Sequence, residues 1–294
     1  MPEPRFLQIH FLAPYAAALL NRDDAGLAKR LPYGNALRTR ISSQCLKYHW
    51  RKAVDPHSMD KLAGEVKSYR SRNIVDELIG DPALRSFSPE VVSTLLQWFN
   101  FAIYSGKSDE KPKKRGVSAK ADNKKERPTL LFGEVEISWL KEEFWRLATE
   151  ATGNADKAFT LGEAWVGVPK KGDSEFQKNR KRNLETLKAS GKIPAGLTAA
   201  LFGRMVTSDP RANIDAPVHV AHAFTVHAEE AEGDYFIAAD DLARDEDTGA
   251  DTIQETELTS GLFYGYVVVD LPGLLNNLGG DAALAGEVLH NLLH

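Results

Sequence analysis

Seven cationic residues lie in a stretch of this sequence that contains no Asp or Glu. The stretch is 25–54, and its cations are Lys29, Arg30, Arg38, Arg40, Lys47, Arg51 and Lys52. The whole chain carries a formal net charge of −4, so positive charge is concentrated here. A basic block without acidic residues is typical of a surface that binds a polyanion such as a nucleic acid.

The order of residues within this block predicts how its side chains are presented. Arg38 and Arg40 alternate in a short extended segment, so both point to one side of a strand. Ser42 or Ser43 can cap the helix that follows. One face of that helix carries Gln44, Lys47 and Arg51. Because a helix N-terminus offers unpaired N–H groups to an anion, this arrangement predicts phosphate binding. The alternative is a solvated basic helix with an ordinary cap.

Length and composition limit the class of protein. The chain has 294 residues, of which 43% are hydrophobic, enough to bury the core of one large domain or two. No apolar run is as long as a membrane span, and the N-terminal residues lack the apolar segment of a signal peptide. The single cysteine, Cys45, excludes an internal disulfide. These features predict a globular cytoplasmic protein without a membrane partner.

Apolar periodicity predicts the elements that position the basic block. Strands are predicted at 5–12, 198–207, 218–227, 235–238 and 258–269, and helices at 59–79, 88–99, 134–152 and 272–294. The acidic segment 239–257 is predicted to form a protruding hairpin. Two basic runs, 105–127 and 170–192, are predicted to be surface segments, with DNA contact as the alternative. The pattern predicts an α+β fold in which a helical insertion interrupts one domain.

Two segments of the basic region carry a family resemblance. Segments 21–24 (NRDD) and 40–47 (RISSQCLK) resemble the signature of the CasC backbone subunit of type I-E CRISPR Cascade, in the RAMP superfamily. Later segments resemble the same family in the same order: 201–205 (LFGRM), 220–227 (VAHAFTVH), 236–242 (FIAADDL) and 258–266 (LTSGLFYGY). The middle of the chain is similar only as a long helical insertion.

The resemblance implies a discontinuous ferredoxin-like palm of the RNA-recognition type, with a helical finger insertion and a thumb hairpin. Its parts would be palm at 1–58, fingers at 59–195 and palm again at 196–294, with the thumb at about 239–257. The stacking motif that is usual in RNA-recognition domains is absent, so no base stacking on the sheet is predicted. Family members continue beyond the helix that ends at His294, so the resemblance implies a longer fold.

The resemblance also assigns roles to residues. It places Ser42, Gln44, Lys47 and Arg51 on the guide-RNA backbone. It places Met205, after Arg204, where that backbone kinks and a base is turned out, and it implies an apolar wedge at Ile253 on the thumb. With the neighbouring cations, the predicted RNA-binding set is Lys29, Arg38, Arg40, Ser42, Gln44, Lys47, Arg51, Arg204, Met205 and Ile253.

These residues predict a binding protein without a catalytic residue, metal or cofactor. The resemblance implies that copies stack head to tail along the guide (crRNA), whose phosphates they hold while its bases pair with target DNA. The expected partners are the crRNA, target DNA through the guide, further copies of the chain and other Cascade subunits.

Two other functions remain open from the residues alone. Asp23 and Asp24 form a carboxylate pair that could hold Mg²⁺ in an RNA endonuclease, although loop capping is the simpler interpretation. A general single-strand-binding module is the second alternative. The basic stretch contains few aromatic residues, which argues against such a module. Three histidines at 219, 222 and 227 do not face one side of a strand, so no zinc site is predicted. His10 is interpreted as structural.

Overall fold

The computed structural model describes residues 4–62, 67–104, 111–112, 127–167, 175–189, 193, 195–206, 210–238 and 252–294. The strands are β1 (Phe6–Ala18), β2 (Arg30–Tyr33), β3 (Ala36–Ile41), β4 (Ser68–Ser71), β5 (Leu130–Gly133), β6 (Val218–Val220), β7 (Ala223–Thr225), β8 (Glu230–Ala238) and β9 (Thr252–Asp270). The helices are α1 (Ser43–Lys52), α2 (Asp81–Ala83), α3 (Pro89–Tyr104), α4 (Glu134–Ala151), α5 (Ala155–Val166), α6 (Glu175–Ala189), α7 (Gly196–Phe202), α8 (Leu271–Asn277) and α9 (Ala282–Leu293).

The chain divides into two compact units. The first comprises Met1–Asp55 and Val218–Val269, and the second comprises Pro56–Pro217 and Asp270–His294. Residues 196–217 and 270–294, which the resemblance assigned to the palm, group with the second unit. The division into palm, fingers and thumb stays a prediction.

The first unit is built on an antiparallel sheet. Among the described residues its strands follow the order β1-β9-β7-β3-β2, and β6 and β8 also pair with β9. Apolar side chains line one face of this sheet, where Leu46 of α1 packs against Ile41, Ala223 and Phe263. Gly265 of β9 is required on that face, because a Cβ there would collide with the Phe11 ring. We call the opposite side of the sheet, which carries Arg38 and Arg40, the open face.

A tight hairpin joins β2 and β3. Tyr33 pairs with Ala36 across the two-residue turn Gly34–Asn35, and both turn residues have positive φ, 63° and 59°. Such values define the turn type that matches the twist of paired strands. The segment around Pro32 is therefore one strand of a paired hairpin with a tight turn at its tip.

Strands β8 and β9 form a long antiparallel arm. Their pairing runs from Glu230↔Ser260 to Ala238↔Thr252. Most of the predicted acidic hairpin, 239–251, lies outside the described residues, but the strands that flank it pair as a hairpin requires.

The second unit has a helical core. Trp98 and Phe99 of α3 are fully buried, and the Phe99 ring stacks on Trp165 of α5 at a centroid distance of 4.0 Å. Gly162 lets α3 and α5 approach closely, because a Cβ there would collide with Trp98. The helices predicted at 88–99 and 134–152 are confirmed as α3 and α4. The predicted C-terminal helix is divided into α8 and α9, capped by Asp270 and Asp281.

Two predicted elements of the second unit are wrong. The segment 59–79, which was predicted to be a helix, contains strand β4. This strand pairs with β5, so a partner about sixty residues away in the sequence decides the conformation of the segment. The strand predicted at 198–207 begins as helix α7, whose Leu197, Ala200 and Leu201 are buried at helical spacing. The basic run 105–127 lies almost wholly outside the described residues.

The fold class is α+β, as predicted, with helices and antiparallel sheets in one chain. Within the described ranges, no helix is both long enough and apolar enough to cross a membrane.

Candidate nucleic-acid interface

The junction between β3 and α1 has the cap that the sequence predicted. Ser42 lies in extended conformation, and its Oγ accepts a hydrogen bond from the backbone N–H of Cys45 at 3.2 Å. The N–H of Ser42 donates to Oδ1 of Asn21 at 2.9 Å. Asn21 therefore fixes the start of α1 from the neighbouring loop, a role that the sequence did not indicate.

Helix α1 presents a cationic face next to this cap. Gln44 is exposed, and Lys47 and Arg51 are half-buried. Arg51 Nε donates to the carbonyl oxygen of Lys47 at 3.3 Å, and its guanidinium lies 5.9 Å from the centre of the Tyr48 ring. The first turn contains no acidic residue. The surface therefore combines a capped helix N-terminus with two cations, an arrangement that suits phosphate.

Arg38 and Arg40 lie on the open face rather than beside α1. The alternate residues Thr39 and Ile41 are buried on the side that α1 covers. Arg38 Nη1 donates to the carbonyl oxygen of Thr225 at 2.7 Å, which joins β3 to the end of β7. The structure thus separates the predicted basic set onto two surfaces of the same sheet.

Arg40 is held by its neighbours on the open face. Its Nε donates to the carbonyl oxygen of Arg30 at 3.1 Å, and its Nη1 lies 3.0 Å from Nδ1 of His222. Burial, together with the positive charges of Arg40 and Lys29, lowers the pKa of His222. The neutral imidazole then accepts the hydrogen bond from Arg40, which keeps the guanidinium in place.

Lys29 and Arg30 differ in their surroundings. Lys29 pairs through its backbone with Asn21 and Arg40, and its side chain is half-buried. Arg30 forms ion pairs with Glu229 and Glu257 at the base of the β8–β9 arm. Burial alone would lower the pKa of Arg30, but the bonds to the two carboxylates raise it. One carboxylate of the acidic segment 239–257 therefore neutralises a positive charge of the basic block. The sequence did not indicate this ion pair.

Arg204 requires a correction, because it is a buried residue of the second unit. Arg204 Nη1 donates to Oε2 of Glu136 at 2.6 Å, and Arg180 Nε donates to Oε1 of the same carboxylate at 2.8 Å. Glu136 is 0% exposed. Burial alone would raise the pKa of Glu136, but the two guanidinium groups lower it. The Arg204 side chain is thus a structural ion-pair partner and lies out of reach of RNA.

Met205, the next residue, is placed differently. It is 78% exposed, so it does not belong to the hydrophobic core. Arg204 fixes the backbone beside it, since Arg204 Nε also donates to the carbonyl oxygen of Ala212 at 2.9 Å. Ile253 lies in β9, where its backbone pairs with Ile237. RNA contact by Met205 and Ile253 stays a prediction.

The other chemical candidates have local structural roles. Asp23 Oδ1 accepts hydrogen bonds from the N–H groups of Ala25 and Leu27, both at 2.9 Å, as a loop cap does. His227 Nε2 accepts from the N–H of Leu262 at 3.2 Å, whereas His222 bonds to Arg40. His10 Nδ1 lies 2.8 Å from the Tyr264 hydroxyl.

Comparisons with known proteins agree with this architecture. A chain from a solved structure described as "CRISPR RNA-guided surveillance complex, pre-nicking" has 29% sequence identity and a TM-score of 0.68, over 98% of this chain and 70% of that one. A second, described as "CRISPR RNA-guided surveillance complex", has 24% identity and a TM-score of 0.59, over 98% and 71%, and shows likeness of fold alone. The search of curated proteins gave no match.

A family model described as "CT1975-like protein" matches residues 7–294. The match includes the NRDD and RISSQCLK segments and both compact units. The chain therefore belongs to the CT1975-like protein family, and its resemblance to the CasC backbone subunits of type I-E Cascade is confirmed.

Proposed function

We propose that this chain is a guide-RNA-binding backbone subunit of a CRISPR surveillance complex. The observation that carries the proposal is the α1 corner, where the capped N-terminus, Gln44, Lys47 and Arg51 share one surface. The corner lies in a chain that is similar over 98% of its length to a subunit of an RNA-guided surveillance complex.

The corner is suited to hold phosphates without reading bases. The positive end of the α1 helix dipole attracts an anion, and the two cations each neutralise one phosphate charge. Contacts to phosphate and sugar position a strand but carry no sequence information. The bases of the guide stay available for pairing, so base pairing with target DNA supplies the specificity.

Assembly follows from the repetition of such a unit along one RNA. Head-to-tail contacts whose rotation does not close a ring produce an open filament, and the length of the bound RNA limits that filament. The proposed partners are therefore the crRNA, target DNA through the guide, further copies of this chain and other subunits of the complex.

We expect assembly to depend on the length of single-stranded RNA. Each copy occupies a fixed number of nucleotides, so doubling the RNA length should about double the number of bound copies. Native mass spectrometry of the full chain with RNAs of two lengths measures this directly. Double-stranded RNA of equal length is the control. A closed dimer whose mass is the same with and without RNA would refute the proposal.

We also propose that the chain does not cut RNA. The Asp23 carboxylate caps the backbone of its loop, and this role needs no metal. The double variant Asp23→Ala/Asp24→Ala should therefore leave labelled guide and complementary RNA intact to the same extent as the wild type when Mg²⁺ is added. Gel electrophoresis over time measures the integrity of both strands. Mg²⁺-dependent cleavage by the wild type that the double variant loses would favour the endonuclease alternative.

A further inference from the structure

Aromatic side chains form a row across the open face of the first unit. Arg40 of β3 pairs with Phe224 of β7, and Phe224 pairs with Tyr264 of β9. The three residues are direct neighbours on adjacent strands, and all lie on the face opposite α1. His10 of β1 continues the row, because its Nδ1 lies 2.8 Å from the Tyr264 hydroxyl.

Ring contacts make the row continuous. The ring centroids of His10 and Tyr266 are 4.6 Å apart, and those of Phe224 and Tyr264 are 6.0 Å apart. At the other end Tyr33 lies 5.3 Å from Phe224. Aromatic groups thus extend from β1 to β2, the two ends of the strand order.

The row is accessible and ordered. Tyr33 is 59% exposed, and Phe224, Tyr264 and Tyr266 are each half-buried. Arg38 bonds to the Tyr33 carbonyl oxygen at 2.9 Å, and its guanidinium lies 5.8 Å from the centre of the Tyr33 ring. The rings are therefore both solvent-accessible and held in position by their neighbours. The guanidinium groups of Arg38 and Arg40 lie among them.

An ordered aromatic sheet face with cations has the chemistry of a base-stacking platform. Every nucleic-acid base has a π-face, so stacking on aromatic rings tolerates any sequence. RNA-recognition domains bind unpaired bases on sheet aromatics in this way. The usual motif is absent because the rings here come from strands that are far apart in sequence, which a short motif does not detect.

The position of the row favours RNA as its occupant. Arg40, at one end of the cross-strand register, is two residues before Ser42, which caps the helix proposed to hold guide phosphates. The open face and the α1 corner therefore adjoin through β3. We propose that the open face is a second binding surface, on which unpaired bases of single-stranded RNA stack against Tyr33, Phe224 and Tyr264. The choice of RNA as ligand rests on the proposed function, whereas the stacking chemistry does not.

The test distinguishes contacts to bases from contacts to phosphates. Fluorescence anisotropy measures binding of the full chain to a labelled uridine decamer and to an abasic decamer with the same backbone. Tyr33→Leu and Phe224→Leu/Tyr264→Leu should each weaken binding of the uridine decamer roughly tenfold or more and leave binding of the abasic decamer unchanged. Tyr264→Phe, which keeps the ring, should bind both as the wild type does. Tyr69→Leu, at a partly exposed tyrosine of the second unit, is the matched control.

The outcomes distinguish this inference from the proposed function. Lys47→Ala/Arg51→Ala should weaken binding of both decamers equally; if it does not while the ring variants act as stated, the proposed function fails and the platform stands. Equal binding of the uridine decamer by the wild type and by a folded Tyr33→Leu variant would overturn the inference. A second outcome would also overturn it: ring variants that weaken binding of a thymidine decamer but not of the uridine decamer. The occupant would then be single-stranded DNA.

Discussion

Replacing Glu136 with Gln is expected to lower the free energy of unfolding of the second unit by about 3–5 kcal/mol. The carboxylate is fully buried between Arg180 and Arg204, and it accepts hydrogen bonds from both guanidinium groups. Its removal leaves two buried positive charges without their shared partner, which costs more than the loss of an exposed pair. Urea denaturation followed by circular dichroism measures the change.

The matched control is Glu142→Gln on the same helix. Glu142 is exposed, so its replacement should change stability by less than about 0.5 kcal/mol. The wild type should also lose stability in acid, because the folded protein lowers the pKa of Glu136 and the unfolded chain therefore binds the proton more readily as pH falls. Glu136→Gln should lack that part of the pH dependence. Equal stability of the two variants would show that the buried triad contributes nothing.

The triad also explains why Arg204 was assigned wrongly from the sequence. Arg204 and Glu136 are 68 residues apart, and Arg180 comes from a third segment. No local pattern signals an ion pair that only the fold brings together. The contacts of Arg204 also affect Met205. They hold the backbone from which the exposed Met205 side chain extends.

Local signals were accurate where short-range interactions decide the structure. The Ser42 cap and the alternation of Arg38 and Arg40 both depend on residues that are close in sequence, and both were predicted. The separation of Arg38 and Arg40 from the face of α1 follows from strand alternation combined with packing against β7, which the sequence alone does not show. The aromatic row was missed for the same reason, since its rings come from four strands, β1, β2, β7 and β9.

A large effect on guide binding is also expected from Lys47→Ala and Arg51→Ala. Each cation lies on the α1 face with Gln44, whereas Leu46 packs on the sheet side of the helix. Loss of one charge-assisted contact should weaken guide binding about tenfold. Each removal should also reduce the log–log salt slope by about 0.7, the value for single strands, and the double variant by about 1.4. Lys52→Ala removes an exposed cation from another side of α1 and should leave the slope unchanged.

The most direct test of the proposed phosphate contacts is a salt titration of guide-RNA binding, carried out with guides of two unrelated sequences. The affinity of the double variant should fall equally for both guides, because phosphate contacts carry no base information. Thermal melts should show that it remains folded. An unchanged affinity and salt slope in the folded double variant would contradict the account, since α1 would then be only a solvated basic helix.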